Sequence, residues 1–199
     1  DFMSPLDEPR FEIKIGMPEA RRADVAGWLT SCDMKTLFPP RQVNSAYFDT
    51  EALDCLEAAD CGISDRVKPR IRWYGRSLAP TKLRFEAKCK RGQAGYKHIA
   101  QLDGPIDFEK MTWNQIRVAV QRQLEGPLSL LLRTAARASA ITRYRREYFI
   151  DPTRRIRVTI DSEVKLLPQW TMRPQLNRSV ILDPVLIVET KAVISDRDL

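Results

Sequence analysis

A chain of 199 residues with 33 Lys and Arg against 26 Asp and Glu carries a formal net charge of +7. It is long enough to bury a core without disulfide or metal staples. The surplus charge points to an anionic partner (nucleic acid, acidic membrane or a phosphorylated molecule) without choosing among them, and ordinary basic soluble proteins share it. Cys32, Cys55, Cys61 and Cys89 form no C-x-x-C pair and His98 is the lone imidazole, which argues against a structural zinc site. No apolar run approaches the roughly 20 residues that span a bilayer, and no secretory leader is visible. A cytoplasmic location is therefore expected, with any membrane partner left open. The sequence opens on Asp1 rather than Met, so flanking segments are expected.

Residues 10–15, "RFEIKI", alternate charged and apolar side chains and predict a first strand. Pro18 and Glu19 suit a first helical turn, with Val25, Trp28 and Leu29 as the apolar side of the helix that follows. "VNSAYFDT" reads as a strand. "TEALDCLEAADCG" reads as a short helix, with Asp49 or Thr50 as N-cap and Gly62 past its end. Polar-striped strands follow at 67–74, 81–90 and about 95–102. Trp113, Ile116, Val120 and Leu124 recur at helical spacing until Pro127, and "LSLLLRTAARA" continues as a second helical piece. Strands are expected at about 140–150, 154–161, 163–167, 178–182 and 185–193, with Asp151-Pro152 as a turn. The organisation is that of one α+β domain, residues 1–199 with a core of about 10–192, built on a large antiparallel sheet.

The strands share a peculiarity. Lys68, Arg70 and Arg72 fall on one face of "KPRIRWYG", because strand side chains alternate. Arg10, Glu12 and Lys14 share a face, as do Arg84, Glu86, Lys88 and Lys90. Arg143 and Arg145 share one with Glu147; Arg155, Arg157, Thr159 and Asp161 line another; Glu189 and Lys191 sit in step near the end. A single such stripe is most simply the wet side of a sheet. Same-face neighbours lie roughly 6.5 Å apart, where like charges repel by about 0.6 kcal/mol in water but about 2.5 at an effective dielectric near 20. Six stripes facing inward would be tolerated only around a polyanion, with the acidic residues balancing charge or holding a hard divalent cation.

The ordered set "RFEIK", "SAYFDT", "RIRWYG", "RFEAKCK", "RYRREYF", "RVTID" and "VLIVETK" resembles the VTC domain. That domain is the polyphosphate polymerase branch of the triphosphate tunnel metalloenzymes, which also include the CYTH phosphatases. The resemblance covers about residues 10–192. It implies an α+β fold: an antiparallel β-barrel forming a triphosphate tunnel, with helices packed outside. It implies phosphate binding by Lys14, Arg70, Arg72, Lys88, Lys90, Arg143, Arg145, Arg157 and Lys191. Of these, Arg70, Arg72, Lys88, Arg145, Arg157 and Lys191 are the expected catalytic set. Glu189 is the implied ligand of Mn²⁺ or Mg²⁺, with Glu12 or Glu86 assisting. VTC domains continue past the "ExK" strand into a segment with a Ser-Lys motif, whereas this sequence runs from "ETK" to "AVISDRDL".

The implied activity is transfer of a phosphoryl group from ATP or another nucleoside triphosphate to a growing inorganic polyphosphate chain. The acceptor already carries an oxyanion, so positioning and charge stabilisation suffice. A tripolyphosphatase or nucleoside triphosphatase using water, and a non-catalytic polyphosphate or nucleotide sensor, are the alternatives. Nucleic acid is not expected as a partner, because Trp73 and Tyr144 fall on faces opposite the arginine pairs. His98 reads as a surface residue. Trp28, Trp113 and the Leu128–Leu132 cluster read as helix packing. Pro69 can donate no ladder bond, so its amide position must face away from a partner or lie at a bulge.

Overall fold

The computed structural model describes residues 10–92, 94–180 and 182–193. Eight strands and four helices follow one another as β1 (Arg10–Pro18), α1 (Arg22–Ser31), β2 (Lys35–Asp49), α2 (Asp54–Asp60), β3 (Arg66–Tyr74), β4 (Lys82–Arg91), β5 (Ala94–Asp103), α3 (Trp113–Gln121), α4 (Gly126–Thr134), β6 (Arg137–Ile150), β7 (Ile156–Pro168) and β8 (Val185–Val193). The strands form one hydrogen-bonded sheet in the order β1-β8-β7-β6-β2-β3-β4-β5. The pairs β1–β8, β7–β8, β2–β3, β3–β4 and β4–β5 are antiparallel. The expected large antiparallel sheet is thus present.

The chain divides into two compact units. The first comprises the described parts of Asp1–Arg41, Tyr144–Val164 and Leu182–Leu199. Its apolar cluster joins Val25 and Leu29 of α1 to Val158 and Ile160 of β7 and Leu186 and Val188 of β8. Trp28, expected in that packing, is instead 43% exposed. At ten residues and 100° per residue, α1 can bury only the narrow Val25–Leu29 edge, and Trp28 falls beside it.

The second unit comprises Gln42–Arg143 and Lys165–Ile181. Its core gathers Ala46 and Phe48 of β2, Ile71 and Trp73 of β3, Leu83 and Phe85 of β4 and Leu102 of β5. Trp113, Ile116 and Val120 of α3 and Leu132 of α4 complete it. Trp73 stacks on Phe108 with ring centroids 4.2 Å apart, and each such ring contributes about 1.5–3 kcal/mol by burial. Thr112 and Gln115 close a capping box that starts α3. Because the apolar residues of β2, β3 and β4 alternate with polar ones, the opposite face of the same strands is left to the charge stripes.

Several local expectations meet their physical causes here. The N-cap of α2 is Leu53, with a left-handed φ of 65° and no side-chain cap bond, rather than Asp49 or Thr50; those two reach the first amides of the helix from upstream, Asp49 accepting from Cys55 and Leu56 at 2.8 and 3.0 Å and Thr50 from Asp54 at 3.1 Å. Asp49 in "YFDT" is therefore a structural residue. The β2–β3 ladder ends at the pair Tyr47–Arg70, so Pro69 lies one residue beyond it. The two strands expected at 154–161 and 163–167 are one, β7, in which Glu163 takes a left-handed φ of 52°. In place of a strand at 178–182 there is an isolated bridge between Leu166 and Val180. Ile181, the side chain of Arg10 and the "ISDRDL" end lie outside the described residues.

Candidate functional site

In the second unit, the register carries charge across three strands. Arg66 faces Lys90, Lys68 faces Lys88, Arg70 faces Glu86 and Arg72 faces Arg84; Lys88 in turn faces Lys97 of β5. Glu86 is the centre of this face, and its side chain is 1% exposed. Arg70 donates Nε to Glu86 Oε2 at 2.8 Å, with Nη2 at 2.7 Å from the same oxygen. Arg72 Nη1 and Lys97 Nζ lie 3.6 and 3.7 Å from Oε2, and Arg84 Nε lies 3.3 Å from Oε1. Arg72 Nε also donates to Ser45 Oγ at 3.1 Å, and Arg70 Nη1 to the Tyr47 hydroxyl at 3.2 Å.

Four cations around one carboxylate leave a surplus of three positive charges on a largely buried surface. Burial alone would push the Glu86 carboxyl up, but Arg70, Arg72 and Lys97 hold it below the usual carboxylate range. The Tyr47 phenol is likewise opposed by burial yet pulled down by Arg70, Arg72 and Lys68. Lys97 feels the cost most: burial lowers its ammonium to about 8, with Glu86 opposing and Arg70, Arg72 and Arg84 adding to the fall.

The first unit holds a constellation richer in carboxylates. Arg146 grips Asp161 with two bonds, Nε to Oδ1 at 2.6 Å and Nη2 to Oδ2 at 2.7 Å, and its Nη2 lies 3.7 Å from Glu189 Oε2. Lys191 Nζ bridges Glu189 Oε1 at 2.8 Å and Glu12 Oε2 at 3.3 Å. Lys14 stands opposite Glu189 in the β1–β8 register, and Arg157 opposite Lys191 in the β7–β8 register. Burial disfavours the Glu189 anion, but the hydrogen bond and charge of Lys191, joined by Glu12 and Arg146, bring it down to about 2. Three carboxylates, Glu12, Asp161 and Glu189, share this set with Arg146 and Lys191, and Lys14 and Arg157 stand in register on the same face.

The expected residues therefore fall into groups. Arg70, Arg72, Glu86, Lys88 and Lys90 share the cationic face of β3 and β4. Glu12, Lys14, Arg157, Glu189 and Lys191 share the carboxylate-bearing face of β1, β7 and β8. Arg143 and Arg145 join neither. Arg145 bonds Glu147 at 2.9 Å, and Glu147 also receives Arg22 of α1. Arg143 donates Nη1 to the Leu176 carbonyl at 3.2 Å, while its Nε and Nη2 are buried with no hydrogen-bond partner. The reason is a slip of alternation in β6. Ala138 and Ile141, three residues apart, both enter the core of the second unit, which a regular strand cannot achieve.

After that slip, Phe149 packs on the apolar cluster of the first unit, Arg145 and Glu147 share its face, and Arg146 takes the polar one. Arg146 and Lys97 are the residues that counting along single strands missed. Lys97 gave no stripe of its own, since β5 carries Ile99 and Gln101 in the same phase.

The model of the VTC domain matches residues 33–195, and the chain belongs to the VTC domain family. Two solved structures resemble it in fold. One is a Hippeastrum protein classed as a candidate adenylyl cyclase and described as having a dominant triphosphatase activity. It has a TM-score of 0.53 and 13% identity, with 95% of this chain and 82% of that one covered. The other is a candidate adenylate cyclase from Vibrio parahaemolyticus, with a TM-score of 0.44 and 10% identity, covering 94% and 77% of the two chains. No curated protein matches the chain in sequence.

Proposed function

We propose that the protein transfers a phosphoryl group from a nucleoside triphosphate to the end of an inorganic polyphosphate chain, with the charged strands closed into a tunnel around the substrate. The observation that carries this reading is the surplus of three positive charges assembled around buried Glu86. Arginine forks and a lysine held at close quarters suit a run of phosphate oxygens, and a single carboxylate orients them without neutralising them. Membership of the VTC domain family supports the reaction class.

The residues also fit a divalent metal. Glu12 and Glu189 offer hard oxygen donors that converge on one ammonium. Two carboxylates suit Mg²⁺ or Mn²⁺, ions that keep water and phosphate oxygens as ligands; among the described residues no three His, Cys, Asp or Glu side chains group together. When bound, such an ion would draw charge from the transferring phosphoryl group. Arg70, Arg72, Arg84 and Lys97 would hold the triphosphate in line and stabilise charge on its oxygens. Lys191 would hold Glu189 and Glu12 in place, and Arg146 would fix Asp161. The acceptor phosphate brings its own oxyanion, so no side-chain nucleophile is required.

Incubation with ATP and Mn²⁺ or Mg²⁺, in the presence and absence of a short polyphosphate primer, tests the proposal. Long polyphosphate on a gel with stoichiometric nucleoside diphosphate is the expected result. Orthophosphate release without chain growth would instead assign a triphosphatase, the reading favoured by the activity described for the Hippeastrum protein. Absence of both products under broad metal conditions would overturn the phosphoryl-transfer reading.

A further inference from the structure

A cleft of about 420 Å³ opens in the second unit between the start of α3, the start of β6 and the turn after β7. It involves none of the residues of the cationic face around Glu86, because α3 packs on the opposite, apolar side of the sheet. Its most conspicuous member is Trp170, an indole left 68% exposed. That ring is held in position. Arg137 lies with Cζ 5.7 Å from its centroid and is anchored by donating Nη1 to the Glu51 carbonyl at 2.9 Å. The adjoining Gln169 is 2% exposed; it donates to the carbonyls of Leu167 and Gln175 and accepts from the Gln175 amide, which stiffens the turn. A large apolar ring held out toward water on a rigid turn is poised for a ligand rather than for packing.

The other side of the cleft is donor-rich. Asn114 and Arg117, joined at 2.8 Å, rise from the first turns of α3, where the helix dipole favours an anion. Trp113 lines the same cleft and is 8% exposed. The volume lies in the range of small-molecule sites.

We propose that this cleft is a second binding site, selective for a nucleoside phosphate: the base stacks on Trp170, and the phosphate meets Arg117 of α3 and Arg137 at the start of β6. Glu51 is the acceptor available to ring amino or ribose hydroxyl groups. Phosphate alone would lose the stacking, and a nucleoside alone would lose the charge contacts. The site is non-catalytic, since it lacks the carboxylate pair of Glu12 and Glu189, and it gives the protein a sensor for nucleotide separate from the proposed phosphoryl-transfer chemistry.

The test is calorimetric titration of the full chain with ADP, inorganic pyrophosphate and adenosine, with no turnover required. ADP is expected to bind, and to lose at least tenfold in affinity in Trp170→Ala, whose circular dichroism should be unchanged because the ring is exposed. Arg117→Ala should weaken ADP but not adenosine. The cleft component should persist in the Arg70→Ala/Arg72→Ala double variant. Should that variant fail to fold, quenching of Trp170 fluorescence by ADP in the wild-type chain saturated with tripolyphosphate is the equivalent measurement. ADP affinity unchanged by Trp170→Ala, pyrophosphate binding lost equally in that variant, or no ADP binding at millimolar concentration would each overturn the proposal. None of these outcomes depends on whether the protein transfers phosphoryl groups.

Discussion

The two charged constellations are built from the same residue types but in different proportions. Around Glu86, four cations face one carboxylate. Around Glu189 there are three carboxylates, counting Glu12 and Asp161, bridged by Arg146 and Lys191, with Lys14 and Arg157 in register on the same face. In the first set the acid is the minority partner, and its burial makes it a fixed counter-charge that keeps the guanidinium groups apart and aimed. In the second set Lys191 occupies a place between two carboxylates where a divalent cation would compete. One protein therefore carries one face that suits an anion and another that suits a cation. A net charge of +7 says nothing about this division; only the partner of each charge does.

The sharpest way to break the comparison is to remove the pivot of each set. Arg146→Ala should be the most damaging single change, leaving Asp161, 3% exposed, without its two-bond partner. The cost expected for an orphaned buried charge is about 3–5 kcal/mol, read as a fall in thermal midpoint. Arg145→Ala, one residue away and half exposed, should cost under about 1 kcal/mol. The reverse order of effects would show that β6 does not slip in phase. Next in size, Arg70→Ala/Arg72→Ala should weaken tripolyphosphate binding by about 100-fold or more, as expected for two charged hydrogen-bond donors worth about 1.5–3 kcal/mol each. Affinity unchanged in a folded double variant would remove the cationic face from the site.

Much of this could be read from single strands. "KPRIRWYG" placed Arg70 and Arg72 on one face and Trp73 on the other, because β3 keeps strict alternation from Lys68 to Tyr74. The "RVTID" and "ETK" stretches did the same for Asp161 and Glu189. Arg146 could not be read this way. Alternation carries information only while the phase holds, and β6 changes phase between Ala138 and Ile141. Lys97 was hidden for another reason. Its importance comes from the strand beside it: the register of β4 with β5 places Lys97 opposite Lys88 and brings its ammonium within 3.7 Å of Glu86. Pairing of this kind is a property of two strands at once. The helices were legible where amphipathic, as in α3, and misleading where only a narrow edge is buried, as with Trp28 in α1.

A finer discrimination separates binding from turnover. Glu189→Gln keeps the shape of the carboxylate and removes its charge. It should leave tripolyphosphate affinity within about threefold and lower metal-dependent turnover by roughly 100-fold, the scale of losing a charged group that acts on the transition state. A shifted metal optimum would accompany it. A large loss of tripolyphosphate affinity without metal would instead mean that Glu189 organises the phosphate ligands. Glu189 titrates at about 2 in the folded chain, below the ordinary value of 4.5, so the stability it contributes is present above pH 4.5 and fades as pH falls toward 2.

The smallest expected effect is a pH dependence that belongs to the cationic face alone. Lys97 loses its proton at about 8, so one of the four cations facing Glu86 disappears between pH 7 and 9, while Arg70, Arg72 and Arg84 stay charged. Tripolyphosphate affinity should fall about two- to fivefold across that interval, the size of a half-exposed charge contact. Stability should move the other way. The folded value lies below the 10.5 of a free lysine, so the unfolded chain holds the extra proton between about 8 and 10.5, and raising pH through that window favours the native state. Lys97→Arg keeps the charge throughout and should flatten both trends, leaving only the contribution of Tyr47, which shares the face. Unchanged slopes in Lys97→Arg would place the titration elsewhere and remove Lys97 from the substrate contacts.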